Sequence, residues 1–291
     1  MIVDQAQVLR GMVEAQRSER GVAGLGAQTL AITSGKGGVG KSTVAVNLAV
    51  ELTRLGRRVV LLDADLGTAN ADVMCNVMPS ITLAHVVAGR REIEDAVIPA
   101  PGGFDLIPGA SGLSQMAMLS DYERKRLLEQ FSRLEAAYDV LMIDTGAGVG
   151  PNVLGFLIAT QRILVVTTPD PTAITDAYAV IKTAHRQQQD LDVRLLVNMA
   201  GDHDEARQVY QRISNVCRKF LGLSIVYAGY VPMDPVVRES IRERKPFVID
   251  NRQVPAAICL NALAHRLDRH AQEPRPAGGG LLRRMTTWLT R

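Results

Sequence analysis

Cysteine is scarce in this chain. Cys75, Cys217 and Cys259 stand far apart among 291 residues with no C-x-x-C pair, which excludes a disulfide framework and a thiolate zinc site and fits a reduced, cytoplasmic setting. Long apolar runs are also missing. Nowhere do eighteen apolar residues follow one another, and the first thirty residues carry Asp4, Gln5, Gln7 and Arg10 where a signal peptide needs an apolar stretch. The expectation is a chain that is neither exported nor membrane-spanning. An excess of one charge is absent as well: 33 basic and 30 acidic residues leave a formal charge of +3. That balance is too even for a protein that coats nucleic acid, so any basic function must be local and no specific nucleic-acid binding is expected.

What is present is ordinary globular material, with 47% hydrophobic and 22% charged residues, enough to bury a core. Apolar strand-like runs alternate with helix-length amphipathic stretches, the pattern of stacked βαβ units. Strands are expected at 29–34, 58–63, 139–144, 162–168, 193–198 and 225–231, with a further short one at 104–108. Most are rich in Val, Ile and Leu, as strands covered on both faces must be. Helices are expected at 42–55, 121–138, 172–189 and 205–221, the first stopped by Gly56. The fold class is therefore α/β, a mostly parallel, doubly wound sheet flanked by helices. No internal repeat is visible, and the only low-complexity stretch is PRPAGGG at 274–280, a linker.

The strongest chemical signal is Gly35-Lys36-Gly37-Gly38-Val39-Gly40-Lys41-Ser42-Thr43, which satisfies G-x-x-x-x-G-K-[ST] between a strand and a helix. The glycines let backbone N–H groups turn inward around phosphates, and the helix N-terminus adds partial positive charge. Lys41 reaches the β and γ phosphate oxygens, and Ser42 offers its hydroxyl to Mg²⁺. Two apolar strands, LLDAD and VLMID, deliver Asp63, Asp65 and Asp144 at their C-terminal ends, where open α/β sheets bind ligands. Asp144 reads as the Walker B carboxylate that holds Mg²⁺ through water. A single aspartate after a strand is often only a cap or turn former; three of them behind a P-loop favour chemistry.

Lys36, directly after Gly35, makes SGKGGVGKST, and ordinary P-loops do not ask for that lysine. The segment resembles the deviant Walker A motif of the MinD/ParA-type ATPases. With LLDADLGTANADV, IDTGAG, TTPDPTAITDAYAVIK and LLVNMA the likeness extends over about 28–270 and is similar above all to the FlhG (FleN) branch, which sets flagellar number and placement. The resemblance implies a P-loop NTPase fold, ATP and Mg²⁺ as ligands, and an ATP-sandwich homodimer. It gives Lys36 a role in trans at the partner's phosphates. By the same likeness Asp65 orients the attacking water, Asp63 belongs to the Mg²⁺ and switch region, and Asn198 and Pro232 hold adenine. Gly146 departs from the branch, where alanine is common. Relatives that carry iron–sulfur clusters need cysteine ligands, and no cysteine here has that placement. A cell-division ATPase of the MinD type and a DNA-partitioning ATPase of the ParA type remain the alternatives, the latter requiring salt-sensitive DNA binding.

Two appendages flank the expected ATPase domain at 28–273. In segment 1–27, Ala6, Leu9, Met12 and Val13 recur at three- and four-residue steps and form one apolar helical stripe. On pattern alone that is a helix packed on its own domain. The run Asp4-Gln5-Ala6-Gln7-Val8-Leu9-Arg10, however, resembles the element by which the FlhG branch engages FlhF, a signal-recognition-type GTPase, and this implies FlhF as a partner. The same resemblance admits flagellar switch-complex proteins or a flagellar transcriptional activator. In segment 281–291, Leu281, Leu282, Met285, Trp288 and Leu289 fall within an arc of about 120°. Arg283, Arg284 and Arg291 lie outside it and no acid is present, the division an in-plane helix needs on an anionic inner-membrane surface. The expectation is a cytoplasmic protein held reversibly at the membrane's cytoplasmic face.

Overall fold

The computed structural model describes residues 27–65, 70–109 and 121–269. From β1 (Gln28–Ser34) the chain turns into α1 (Lys41–Arg54) and returns through β2 (Val59–Ala64). Short helices α2 (Ala71–Met74) and α3 (Leu83–Val87) precede β3 (Ile98–Pro99) and β4 (Asp105–Ile107). Next come α4 (Asp121–Ala137), β5 (Val140–Ala147), α5 (Pro151–Ala159), β6 (Arg162–Thr167), α6 (Pro171–Gln187) and β7 (Asp192–Ala200). The described chain closes with α7 (His203–Leu221), β8 (Val226–Pro232), α8 (Pro235–Glu243) and α9 (Pro255–Arg269).

The eight strands form one sheet in the order β3-β4-β2-β5-β1-β6-β7-β8, parallel except for β3. Successive side chains on a strand point to opposite faces, so one strand feeds two cores. Ile32, Leu61 and Leu164 pack with α1 and α9 on one side. On the other side Leu62 joins α4, while Ala31 and Val165 join α6 and α7. Every expected strand forms, with ends shifted by up to three residues.

Among the described residues five α-helices beyond the four expected also form. Four of the nine open on proline at the first helical position (Pro151, Pro171, Pro235 and Pro255), where its fixed φ suits the helix and its missing N–H costs nothing. Asp170, Asp202 and Asp234 cap α6, α7 and α8 by accepting from the N–H groups of Thr172, Glu205 and Val236. Among the described residues no helix is long and apolar enough to cross a membrane.

This topology gives the molecule two distinct edges. Parallel strands end together, so Ser34, Asp65, Ala147, Thr168, Ala200 and Pro232 meet at one edge. The helices run back and end at the other, here called the base.

Candidate active site

The loop after β1 wraps the N-terminus of α1. Gly38 and Gly40 have φ of 80° and 82°, left-handed values that glycine adopts without steric cost. Gly35 is required for another reason: a Cβ there would stand 2.2 Å from the backbone carbonyl carbon of Asp176 in α6. The P-loop is therefore pressed against α6 as well as seated on α1.

Lys41, only 7% exposed, points into the space between the strand ends. Its Nζ lies 2.6 Å from Asp144 Oδ1, 3.8 Å from Asp65 Oδ2 and 3.5 Å from Ser42 Oγ. Asp144 is fully buried; desolvation raises its pKa, and the Lys41 ammonium opposes that shift. Its second oxygen, Oδ2, is buried without a hydrogen-bond partner. A carboxylate oxygen left open near a serine hydroxyl is a suitable donor set for a hard divalent cation that shares its remaining positions with phosphate and water. The residues present thus fit Mg²⁺.

Asp63 reaches the same edge but is differently employed from the metal role expected for it. Its Oδ1 accepts the N–H of Asp65 at 3.1 Å, and its Oδ2 accepts those of Asn70 at 3.0 Å and Ala71 at 3.1 Å. With the side chain 1% exposed, both oxygens tie down the two ends of the loop that follows β2. Asp63 thereby positions Asp65 and the residues that follow the loop. Burial and the Asp144 carboxylate push Asp63 up to about 7, while the N–H groups of Ala71 and Asp65 and the Lys41 ammonium pull it down.

Asp65, immediately past β2, faces Lys41 across the site. A Cβ on Gly146 would meet Asp65 Oδ1 at 3.6 Å, an ordinary contact, so the glycine is not sterically required there. The loop after β5 is tied to the P-loop strand by Gly148 N–H donating to Ser34 O at 2.8 Å.

Lys36 does not join Lys41. Its side chain, 43% exposed, turns outward, and its Nζ donates to Asp170 Oδ2 at 3.2 Å and Thr172 Oγ1 at 2.7 Å at the start of α6. Hydrogen bonds from the Thr172 hydroxyl and backbone N–H, followed by the hydrogen bond and charge of Lys36, hold the Asp170 carboxyl down at about 2.

Asn198, near the end of β7, donates from Nδ2 to Val39 O at 2.8 Å. With Pro232, Gly40 and Thr43 it lines a mostly apolar cavity of about 510 Å³, whose floor is Phe247 and Leu260. That cavity has room for a flat heterocycle beside the P-loop. Phe247 and Leu260 were not expected from sequence; the signal for Leu260 was the apolar spacing of the helix that opens at Pro255, and Phe247 lies in the segment before that helix. The expected partner residues Asp4, Gln5, Ala6, Leu9 and Arg10, and the expected membrane residues Leu281, Leu282, Met285, Trp288 and Leu289, lie outside the described residues.

Together these groups supply an anion cradle of backbone N–H groups, a buried cation, a candidate divalent-metal seat and a poised carboxylate. The chain is similar to known proteins. A family model described as an AAA domain (AAA_31) matches residues 27–197. The antiactivator FleN of Pseudomonas aeruginosa is 40% identical over 251 residues, covering 86% of this chain and 90% of its own. The flagellum site-determining protein YlxH of Helicobacter pylori is 38% identical over 220 residues, 74% of this chain and 73% of its own. Among solved structures, MinD of Pyrococcus horikoshii complexed with Mg-ADP superposes with a TM-score of 0.71 at 27% identity, covering 84% of this chain and 98% of that one. The cell-division ATPase MinD of Pyrococcus furiosus does so at 0.70 and 26%, with 84% and 99% covered. The chain belongs to the MinD/ParA-type P-loop ATPases, with ATP and Mg²⁺ as its ligands and ATP hydrolysis as its reaction.

Proposed function

We propose that this ATPase is a nucleotide-switched homodimer that regulates flagellar number and placement, with hydrolysis serving as its timer. One observation carries the dimer: Lys36, the residue that marks the motif, is exposed and turned away from its own phosphate cradle. A lysine so placed serves a phosphate that comes from outside the subunit.

Within each subunit the backbone of Gly35, Gly37, Gly38, Val39 and Gly40, with Lys41, Ser42 and Thr43, holds the triphosphate. Asn198 and Pro232 border the adenine. Ser42 and Asp144 hold Mg²⁺, which when bound neutralises charge on the β and γ phosphates. Asp65 orients water for in-line attack on the γ phosphorus; the new P–O bond forms as the bond to the β–γ bridging oxygen breaks, giving ADP and phosphate. Lys36 of the other subunit balances the developing charge, as an arginine finger does elsewhere.

The flagellar assignment rests on the names of the relatives, an antiactivator and a site-determining protein. Segment 1–27 is assigned to stimulation of the FlhF GTPase, and segment 281–291, after the 274–280 linker, to anionic inner membrane in the ATP dimer. Flagellar switch-complex proteins or a flagellar transcriptional activator are further partners of the dimer. The protein is accordingly cytoplasmic and reversibly membrane-bound.

Light scattering tests the switch. Wild-type protein is expected to be monomeric with ADP and dimeric with ATP-Mg²⁺, and Lys36→Ala monomeric with both. Wild-type protein that stays monomeric with a non-hydrolysable ATP analogue would rule the switch out.

A further inference from the structure

Helices that return from a parallel sheet bring their C-termini to the base. His185 of α6 meets Leu221 O at the end of α7 at 3.2 Å. Arg162 at the start of β6 meets Leu267 O near the end of α9 at 3.4 Å, and Arg57 after α1 meets Asp268 at 2.6 Å. Basic residues are common at such ends because they complement the helix dipole, and several here are tied into ion pairs. Arg57 pairs with Asp268, Arg58 with Asp139, and Arg162 and Arg194 with Asp192.

The end of α7 is different. Arg218 and Lys219 are exposed and enter no ion pair among the described residues, and no acid occurs between Glu205 and Asp234. Phe220, next to them, is 65% exposed, and Val226, which opens β8 at the same base, is 45% exposed. The other four phenylalanines, Phe104, Phe131, Phe156 and Phe247, are all buried, so Phe220 is the exception that needs an explanation. Lys219 Nζ stands 5.3 Å from its ring centroid. The dipole accounts for the cations but not for an exposed ring beside an exposed valine. Asp190, in the α6–β7 turn, is an exposed acid of the same base and weakens the positive field there.

An aromatic ring and an aliphatic side chain flanked by unpaired cations match the headgroup zone of an anionic bilayer. There the ring enters the acyl boundary and the ammonium meets phosphate. The course of the chain points the same way, since α9 ends at Arg269 on this base and the segment with Leu281 and Trp288 follows from there.

We propose that Phe220, Arg218, Lys219 and Val226 form a second membrane contact on the ATPase core, acting beside the 281–291 segment. The inference rests on the membrane reading given above, and its test separates the two. Two attachments per subunit restrict tilt and multiply retention through effective concentration.

Full-length protein with ATP-Mg²⁺ is sedimented with phosphatidylglycerol-containing vesicles. Arg218→Glu/Lys219→Glu and Phe220→Asp are each expected to cut retention at least about tenfold, given roughly fivefold per cation at an anionic surface. ATPase activity without vesicles should stay unchanged, which also certifies folding. In a Trp288→Phe background, Phe220→Trp provides the sole tryptophan, and its emission should shift to the blue and be quenched by brominated lipid. Variants retained like wild type, together with an unquenched Trp at position 220 on protein that does sediment, would overturn the core contact and leave the tail reading standing. Wild-type protein that never sediments would overturn both.

Discussion

Asp63 shows how one side chain's surroundings set its task. Its folded pKa of about 7 stands well above the 3.8 of a free aspartate, chiefly through burial. A raised carboxyl contributes stability that is fully present below the unfolded value and is lost as pH rises through the folded one. The nucleotide-free protein should therefore lose about 1 kcal/mol between pH 6 and pH 8 from this residue. Asp63→Asn, which cannot ionise, should lack that part of the slope. Denaturation midpoints of the two proteins at both pH values measure the difference, and parallel pH profiles would refute the assignment. The sequence placed Asp63 and Asp65 two residues apart at one strand end, and that much was legible. Their division of labour was not, because it depends on the chain curling back so that Asn70 and Ala71 present their N–H groups. Nor could the sequence show that Lys36 rests on Asp170, a partner 134 positions away.

At the scale of elements, strands were readable because doubly covered strands must be runs of Val, Ile and Leu, and the P-loop because its backbone geometry demands its glycines. Helices α5, α8 and α9 were harder to read. Pro151–Ala159 is apolar nearly all round and carries Gly155, so its periodicity is faint, and Pro235–Glu243 spans only nine residues. Yet α9 matters to the site. Asn261 donates to Glu51 of α1 at 2.7 Å, and Asn47 of α1 accepts the N–H of Val248 at 3.1 Å in the segment leading to α9. The P-loop helix is thereby bonded to the elements that floor the apolar cavity. On its other side the P-loop abuts α6, which makes a contrast between two glycines informative. Gly35→Ala should cost about 1–3 kcal/mol, since the new methyl strikes the α6 backbone. It should also weaken ATP binding. Gly37→Ala, with no atom within 4 Å of its Cβ and no positive φ, should leave the melting temperature nearly unchanged. Thermal unfolding of the pair decides the matter; equal losses would mean that the P-loop is not held against α6.

At the scale of the whole molecule, the parallel sheet separates two jobs. Chemistry gathers where strands end, and the core surface assigned to the membrane lies where α7 ends. A dimer that meets through its P-loop edges leaves the base of each subunit uncovered. That arrangement depends on Lys36 acting across the interface while Asp65 acts within its own subunit. Mixing two inactive proteins tests the arrangement directly. In a mixed dimer, the Lys36→Ala subunit keeps its own Asp65 and receives Lys36 from an Asp65→Ala partner, so its site is complete. ATP hydrolysis should therefore return when the two variants are combined, although each alone is inactive. A mixture as inactive as its components would contradict a lysine that works in trans.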